Sequence, residues 1–561
     1  MIWPGHVRVV THRLPSKYGE IVVGTTKTHR CAAPRRNRPA AVLRPAGVLG
    51  GALLVAALAT ACGGAGGGSA GTPARQNPET LTIAVAAPPQ SLNPALAGNG
   101  DPLIIPVELA YDPLIYLKSD GSLAPGLATA WKFVGSGNKV FELALRPDVK
   151  FADGSSLTAQ GVADYFAYFA KAGGLGASRV QNFEKVTVTG PLSLRIELKS
   201  ANPELPYILT QGFAIGDVIS PLGLKDPNRL GTSTAGAGQY VLDTGGSVTN
   251  QTYVFTPNPN YWNRAAINWK KVVVKVIPDS NAALGAMRTG QVDYMISDTK
   301  GADAAKRAGF NVSTWPYLFG HIQLLDRGGT QVKALGDVRV RQALNYAVDR
   351  KALANALFGK YATPSDQILL PEADGYDPSL NGHYPYDPVK AKSLLEQAGY
   401  PGGFSLVMAA FNLQPGETDA AQAVAGYWAK IGVKAKIDVP VSISAYTSGL
   451  TGKKYQAQMF EYGGLPMYLV ADQLLNTGSL FNPFANTHPE ITKLMRDGAA
   501  ADDESRPAIY KRLQKVLVEQ AWFVPFASID KVTVARPGLQ GVTTAPRALD
   551  PNPVFFTAAK H

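Results

Sequence analysis

Both cysteines of the chain, Cys31 and Cys62, stand before residue 63. Whatever follows them must fold without a disulfide and without a cysteine-ligated metal, on burial and hydrogen bonding alone. That remainder is about 500 residues, more than one hydrophobic core serves, so several lobes are expected. It contains no second long apolar run, and the expectation is a multi-lobed protein in water rather than a membrane-spanning one.

The segment ahead of residue 63 reads as an address. Arg35, Arg36, Arg38 and Arg44 precede the apolar stretch Ala46 to Ala61, which is short and Gly-interrupted and suits a secretory h-region better than a transmembrane helix. Leu58-Ala-Thr-Ala-Cys62 resembles a bacterial lipobox, with Leu58 one place further from the cysteine than usual. On that reading the leader is cut before Cys62 and its thiol carries lipid; the alternatives are ordinary cleavage after Ala59 or Ala61, or an uncleaved anchor. The expected organisation is a signal peptide with an N-terminal extension over 1–61, the true start lying nearer Val23. The lipidated cysteine and a flexible linker, GGAGGGSAGTPARQNP, follow over 62–79.

The formal charge is +12, but residues 1–61 hold nine of the Lys and Arg and one acid, Glu20. The rest carries 45 basic against 41 acidic residues, so the basic balance belongs to the leader and gives no reason to expect nucleic acid as a partner. No HExxH, P-loop or GxSxG sequence occurs, and only His321, His383, His488 and His561 follow residue 62. The expectation is no enzyme, no cofactor and no metal.

Along the folded part, strand-like runs alternate with amphipathic helices, which argues for α/β lobes. Leu81 to Ala87 reads as a strand. Asp120-Gly121 and Asp153-Gly154 read as tight turns between extended runs. Thr158 is positioned to cap a helix carrying Val162, Tyr165, Phe166 and Phe169 on its core face. Asp337 is a candidate cap for one apolar helical face running from Val340 to Leu353 and stopped by Gly359, with Arg339, Arg341 and Asp349 solvated or paired at the surface. Asp387 and Pro388 read as N-cap and first residue of a helix ended by Gly399.

Several stretches together resemble the extracytoplasmic solute-binding proteins of family 5, which serve dipeptide, oligopeptide and nickel ABC importers. They are Leu92-Asn93-Pro94, Tyr111-Asp112-Pro113-Leu114, Asp120-Gly121, Pro125 to Trp131, Leu145 to Gly154 and Leu157-Thr158-Ala159. The order continues through Gly236 to Leu242, Trp262, and the segments beginning at Lys271, Asp337, Tyr384 and Trp522. The resemblance implies an α/β, two-lobed periplasmic-binding-protein-like fold (Venus flytrap, type II or cluster C) with an extra inserted subdomain. On that template lobe I comprises 80–112, 231–318 and 525–561, the insertion 113–230 and lobe II 319–524, with hinge strands near Trp315 to Ile322 and Pro525 to Asp530.

It also implies a function: capture of peptides by lobe closure on the outer face of the cytoplasmic membrane, followed by delivery to a permease with ATPase subunits. The receptor is expected to act as a monomer. Candidate cleft residues on the template are Asn99 and Asp101 after the first strand, Trp315 and His321 by the hinge, and Tyr462, Phe481, Asn482 and Phe484 on the second lobe. Peptide binders of this kind carry an acid for the peptide ammonium in the segment matching Met459 to Asn476, where this chain has Gly463-Gly464-Leu465-Pro466. Glu461 and Asp472 are the nearby acids, for which exposure on a loop or helix is the simpler reading. The alternatives kept open are a non-peptide solute such as a sugar or metal chelate, a surface sensor or scaffold, and an extracytoplasmic hydrolase.

Overall fold

The computed structural model describes residues 79–97, 104–174, 176–411, 416–542 and 551–559. The first strand, Thr80–Val85, turns Leu81, Ile83 and Val85 into the core and pairs in parallel with Lys271–Val276 on one side and Tyr294–Ser297 on the other. It lies within an 11-stranded sheet. From one edge the order is Lys434–Asp438, Ser405–Ala409, Ala457–Gly463, Asn311–Leu324, Phe523–Ala535, Tyr294–Ser297, Thr80–Val85, Lys271–Val276, Thr252–Pro257 and Tyr240–Leu242, while Ala362–Pro364 pairs with Phe523–Ala535.

Two strands in the middle are far longer than the rest. Asn311–Leu324 and Phe523–Ala535 run antiparallel from Asn311 opposite Ala535 to Gln323 opposite Phe523, with register shifts between Pro316 and Leu318 and between Gly320 and His321. One end of this ribbon completes the half-sheet around Thr80–Val85, and the other completes the half-sheet around Ala457–Gly463. The two halves are the cores of the two lobes. The irregularities fall where the ribbon passes between them, at a proline that cannot donate to the ladder and at a glycine. A Cβ on Gly320 would meet the Phe526 ring at 2.4 Å, so this crossing needs a residue without a side chain.

A separate four-stranded antiparallel sheet, in the order Ala128–Phe133, Val140–Leu145, Ser193–Leu198, Phe183–Gly190, forms a subdomain on the first lobe. The helix Ala159–Lys171 packs on it through Val162, Tyr165, Phe166 and Phe169, and Thr158 accepts from the Gly161 amide at 3.0 Å. Both turn glycines have the left-handed backbone that the Asp-Gly pairs called for, Gly121 at φ 80° and Gly154 at φ 84°. Asp387 caps the helix Pro388–Gln397 through the Lys390 amide.

The segment after Asp337 departs from expectation. It forms two helices, Val338–Tyr346 and Arg350–Phe358, because Asp349 accepts from the Ala352 amide and starts a new helix after Val348. Arg341 is buried rather than solvated. Its guanidinium donates to the carbonyls of Gln520, Leu335 and Gly336 at 2.8–3.1 Å, tying the helix to the strand that follows Gln520.

Candidate functional site

Strand alternation puts Phe319, His321 and Gln323 on one face of the hinge strand. The register pairs them with Tyr462, Phe460 and Gln458, so those three side chains share the same face. The outcome is a wall of rings at the hinge side of the second lobe, in which Phe319, Phe460 and His321 are buried and Tyr462 and Phe481 are partly exposed. Phe319 meets Tyr462 edge to face at 5.7 Å, Phe460 stacks on Tyr462 at 5.6 Å, and Phe481 leans on Phe460 at 4.9 Å. His321 sits among Phe319, Phe460 and Phe523 at 5.3, 6.1 and 5.3 Å.

Behind the rings a chain of amides fixes the loop that carries Phe481. Tyr446 donates to Gln458 at 2.6 Å, Gln458 donates to Gln323 at 2.7 Å, and Gln323 donates to the carbonyls of Leu474 and Phe481 at 3.1 and 2.8 Å. Each amide is used, which makes the wall rigid. His321 is fully buried, and burial pushes its pKa down to about 3, so it is a neutral ring at physiological pH. Its Nδ1 lies 3.5 Å from the Phe319 carbonyl, and its Nε2 has no hydrogen-bond partner among the described residues.

The wall meets the first lobe's subdomain. Tyr462 donates its hydroxyl to Gln473, which also accepts from Arg179 Nη2 at 3.5 Å, and Arg179 lies over the Phe213 ring at 5.4 Å. Tyr468 donates to the Ala201 carbonyl at 3.0 Å. Asn138 Nδ2 donates to the carbonyls of Ala499 and Ala501, both at 2.9 Å. The two lobes therefore touch directly along this line.

The residues expected to line the cleft take different positions. Tyr462 and Phe481 belong to the wall. Trp315 lies half-buried on the hinge strand, with its indole N–H lacking a partner among the described residues. Asn482 is buried and fully occupied: it accepts from Arg327 at 3.0 Å and donates to the carbonyls of Leu475 and Asn486. Phe484 packs at the edge of a small cluster around Leu325 and Tyr446, with Lys453 5.5 Å from its ring. Asn99, Asp101 and Cys62 lie outside the described residues.

The expectation of exposure for Glu461 is overturned. It is buried between Phe460 and Tyr462 in sequence and so faces away from the wall, opposite Gly320. Its amide donates to Glu417 at 3.2 Å, and burial, with the Glu417 charge added, pushes its carboxyl well above the usual range. An acid on the far face cannot anchor an ammonium group at the wall. Asp472 is half-buried on the helix Met467–Leu474 and accepts from Asn476 at 3.1 Å. Asp326 staples a loop by accepting the amides of Thr330, Gln331 and Val332 at 2.7–2.8 Å. Phe319, Phe460, Gln473 and Arg179 were not among the sequence candidates. The alternation in Phe319-Gly-His321-Ile-Gln323 is legible, but the partner strand and its register are not.

Among the described residues no three His, Cys, Asp or Glu side chains gather as a metal site, and no helix is long and apolar enough to cross a membrane. Residues 122–479 match the model of the bacterial extracellular solute-binding proteins, family 5. The chain is 26% identical to the glutathione-binding protein GsiB of Salmonella typhimurium over 468 residues, 78% of this chain and 86% of that one. It is 28% identical to heme-binding protein A of Haemophilus influenzae over 356 residues, 59% of this chain and 61% of the other. In fold it is similar to the periplasmic binding protein AgaA of A. tumefaciens R10 in complex with agropinic acid (TM-score 0.73, 21% identity, 86% of this chain and 99% of that one). It is similar too to DppA of Helicobacter pylori in complex with the peptide STSA (TM-score 0.72, 22% identity, 86% and 98%). These neighbours are two-lobed periplasmic binding proteins of mixed α/β content, the architecture built by the shared hinge ribbon here. The chain thus belongs to family 5 of the bacterial extracellular solute-binding proteins, the non-enzymatic extracytoplasmic receptors that work with ABC importers.

Proposed function

We propose that this receptor captures short peptides between its lobes and is held to the outer face of the membrane by lipid on Cys62. The observation that carries the reading is the aromatic wall of Phe319, Phe460, Tyr462 and Phe481, backed by spent amides and facing the subdomain of the other lobe. Such a wall takes the apolar parts of a peptide, while backbone and polar groups at the lobe boundary take its amides. Ligand that touches both lobes stabilises the closed state because only there are both sets of contacts made. Trp315, Tyr462 and Phe481 are assigned as direct contacts, with Asn99 and Asp101 contributing from the first lobe. His321, Asn482 and Phe484 shape the wall from behind. The loaded receptor then docks on its permease as a monomer.

A second reading, a non-peptide solute, is favoured by one observation: Glu461 is buried and turned away, leaving the wall without that acid for a peptide ammonium. Native mass spectrometry of the exported protein, purified gently and stripped of its bound molecule, separates the two. A ladder of short peptides supports the peptide reading, and a single non-peptide species overturns it. At about 100-fold excess over Kd the correct ligand should add about 2.7 kcal/mol of stability. Cys62→Ser should release the protein from the membrane fraction, and retention there would overturn the lipid anchor.

A further inference from the structure

Arg179, half-buried, has fewer and longer polar contacts than the buried arginines of the described residues, among them Arg341 with its carbonyl bonds of 2.8–3.1 Å. Arg327 donates to the Leu324 carbonyl at 2.6 Å and to Asn482 at 3.0 Å. Arg350 has three hydrogen bonds of 2.8–3.1 Å and an ion pair with Asp366 at 2.9 Å. Arg506 pairs with Asp503 at 2.7 Å, and Arg536 with Asp293 at 2.6 Å. Arg179 has one long contact to a neutral amide, Gln473, whose oxygen is already taken by the Tyr462 hydroxyl, and no ion pair among the described residues.

Its position is nonetheless fixed. Arg179 rides on the short helix Ala177–Gln181, whose Ala177 and Val180 are buried, and whose preceding Gly176 lies so close to the Phe169 ring that a Cβ there would come within 3.0 Å. Phe213 lies under the guanidinium; burial, then the charge of Asp472 and, for Tyr468, Glu204, push the hydroxyls of Tyr462 and Tyr468 up, and the Arg179 charge works against them. This half-buried guanidinium stands between two lobes with most of its fork of donors unused and no carboxylate within ion-pair distance among the described residues.

We infer that Arg179 is the anchor for an anionic group of the transported solute, a carboxylate, which enters between Phe213 and Tyr462 and displaces the weak contact to Gln473. The fork matches a carboxylate with two parallel hydrogen bonds, and a charge-assisted pair in this partly dry setting is stronger than the amide contact it replaces. The inference rests on the reading of the interlobe face as the ligand cleft. It restricts the solute class whichever reading of the ligand holds: for a peptide the group is the C-terminal carboxylate or an acidic side chain, and for another solute it is an organic acid.

The test is a thermal-shift panel on the exported wild-type protein, Arg179→Gln and Arg179→Lys, using paired probes. One pair is a mixed tripeptide pool with free carboxyl termini against the same pool amidated. The other is a set of small organic acids against their primary amides. The expected result is that acids stabilise the wild type, their amides do not, Arg179→Gln weakens the acid response at least tenfold, and Arg179→Lys retains an intermediate response. An equal response to acids and amides, an unaltered acid response in Arg179→Gln, or no response to any acid would overturn the assignment. Whether the responding acids are peptides or not decides the peptide reading separately. The probe-free melting temperature of each variant shows whether a lost response is a lost fold.

Discussion

The second lobe buries arginines together with the carboxyls of Asp326, Asp366, Glu417 and Glu461, whereas among the described residues the first lobe and its subdomain bury carboxyls without a fully buried arginine. In the second lobe Arg327, Arg341 and Arg350 are at most 7% exposed, and they donate to main-chain carbonyls, to Asn482 and Asn345, and pair with Asp366, while Arg327 Nε has no partner among the described residues. In the first lobe and its subdomain the buried groups are carboxyls. Asp112 accepts from Trp262 and Tyr116 at 2.7 Å and from Tyr261 at 3.4 Å, yet burial still pushes its pKa up to about 6. Asp217 has no partner for either oxygen among the described residues, and burial pushes its carboxyl well above the usual range. The contrast follows from supply. Helix and strand ends leave carbonyls over, and a guanidinium with five donors can use them and keep its charge. A carboxylate needs donors, and where too few are within reach, as at Asp217, burial favours the protonated form.

Removing a partner should therefore cost most on the arginine side. Asp366→Ala leaves Arg350 charged and buried against a cavity and takes away the acceptor of the Gly382 amide, for an expected loss of about 3–5 kcal/mol. Asp217→Asn, in the other lobe, removes a buried carboxyl with no hydrogen-bond partner among the described residues and should cost far less. Denaturant unfolding of both variants at pH 7 checks the ranking, and an equal loss from the two would end the distinction between the lobes.

The next largest effect is in pH. For both Asp112 and Asp217 the folded carboxyl binds its proton more tightly than the unfolded one. The native state thus carries the extra protons, and stability is full below the unfolded pKa and falls as pH rises through the folded values. For Asp112 the window runs from about 4 to about 6 and is worth about 3 kcal/mol; Asp217 adds a slope of the same sign. Asp217→Asn should remove its share of the slope, so that the variant gains on the wild type as pH rises from about 4 toward neutral. Parallel stability curves over that range would refute a protonated Asp217.

The same contrast explains what could be read in the sequence. Turn glycines, caps and the core face of the helix after Thr158 depend on neighbours within a few residues, and they were legible. Family membership was legible from ordered motifs, although the chemistry of those motifs was not. Asp112 stands in one of them and proves to be the acceptor that gathers Tyr116, Tyr261 and Trp262, residues as far as 150 positions away. Arg341 and Glu461 look like surface residues on local grounds, and only the strand and helix packed against each decides that they are buried. Arg179 is still further from reach, since its meaning lies in Gln473 and Tyr462 of the opposite lobe.

Where the lobes touch at Asn138, neither solution for buried charge is used, and the expected effect is the smallest. Asn138 is left-handed at φ 51°, a conformation that Asn tolerates, and its amide joins two carbonyls at the end of the helix Pro489–Ala500 in the other lobe. Terminal carbonyls of a helix lack partners within it, so closure supplies a cap from across the cleft. Asn138→Gly keeps the backbone and deletes the cap. It should shift the balance between closed and open forms by about 1 kcal/mol, roughly fivefold in population, without lowering the pH 7 unfolding midpoint of either lobe. Interlobe fluorescence energy transfer on the ligand-free protein measures that balance. A closed fraction unchanged by Asn138→Gly would mean that the wall and the hinge ribbon, rather than this neutral contact, decide how long the lobes stay together.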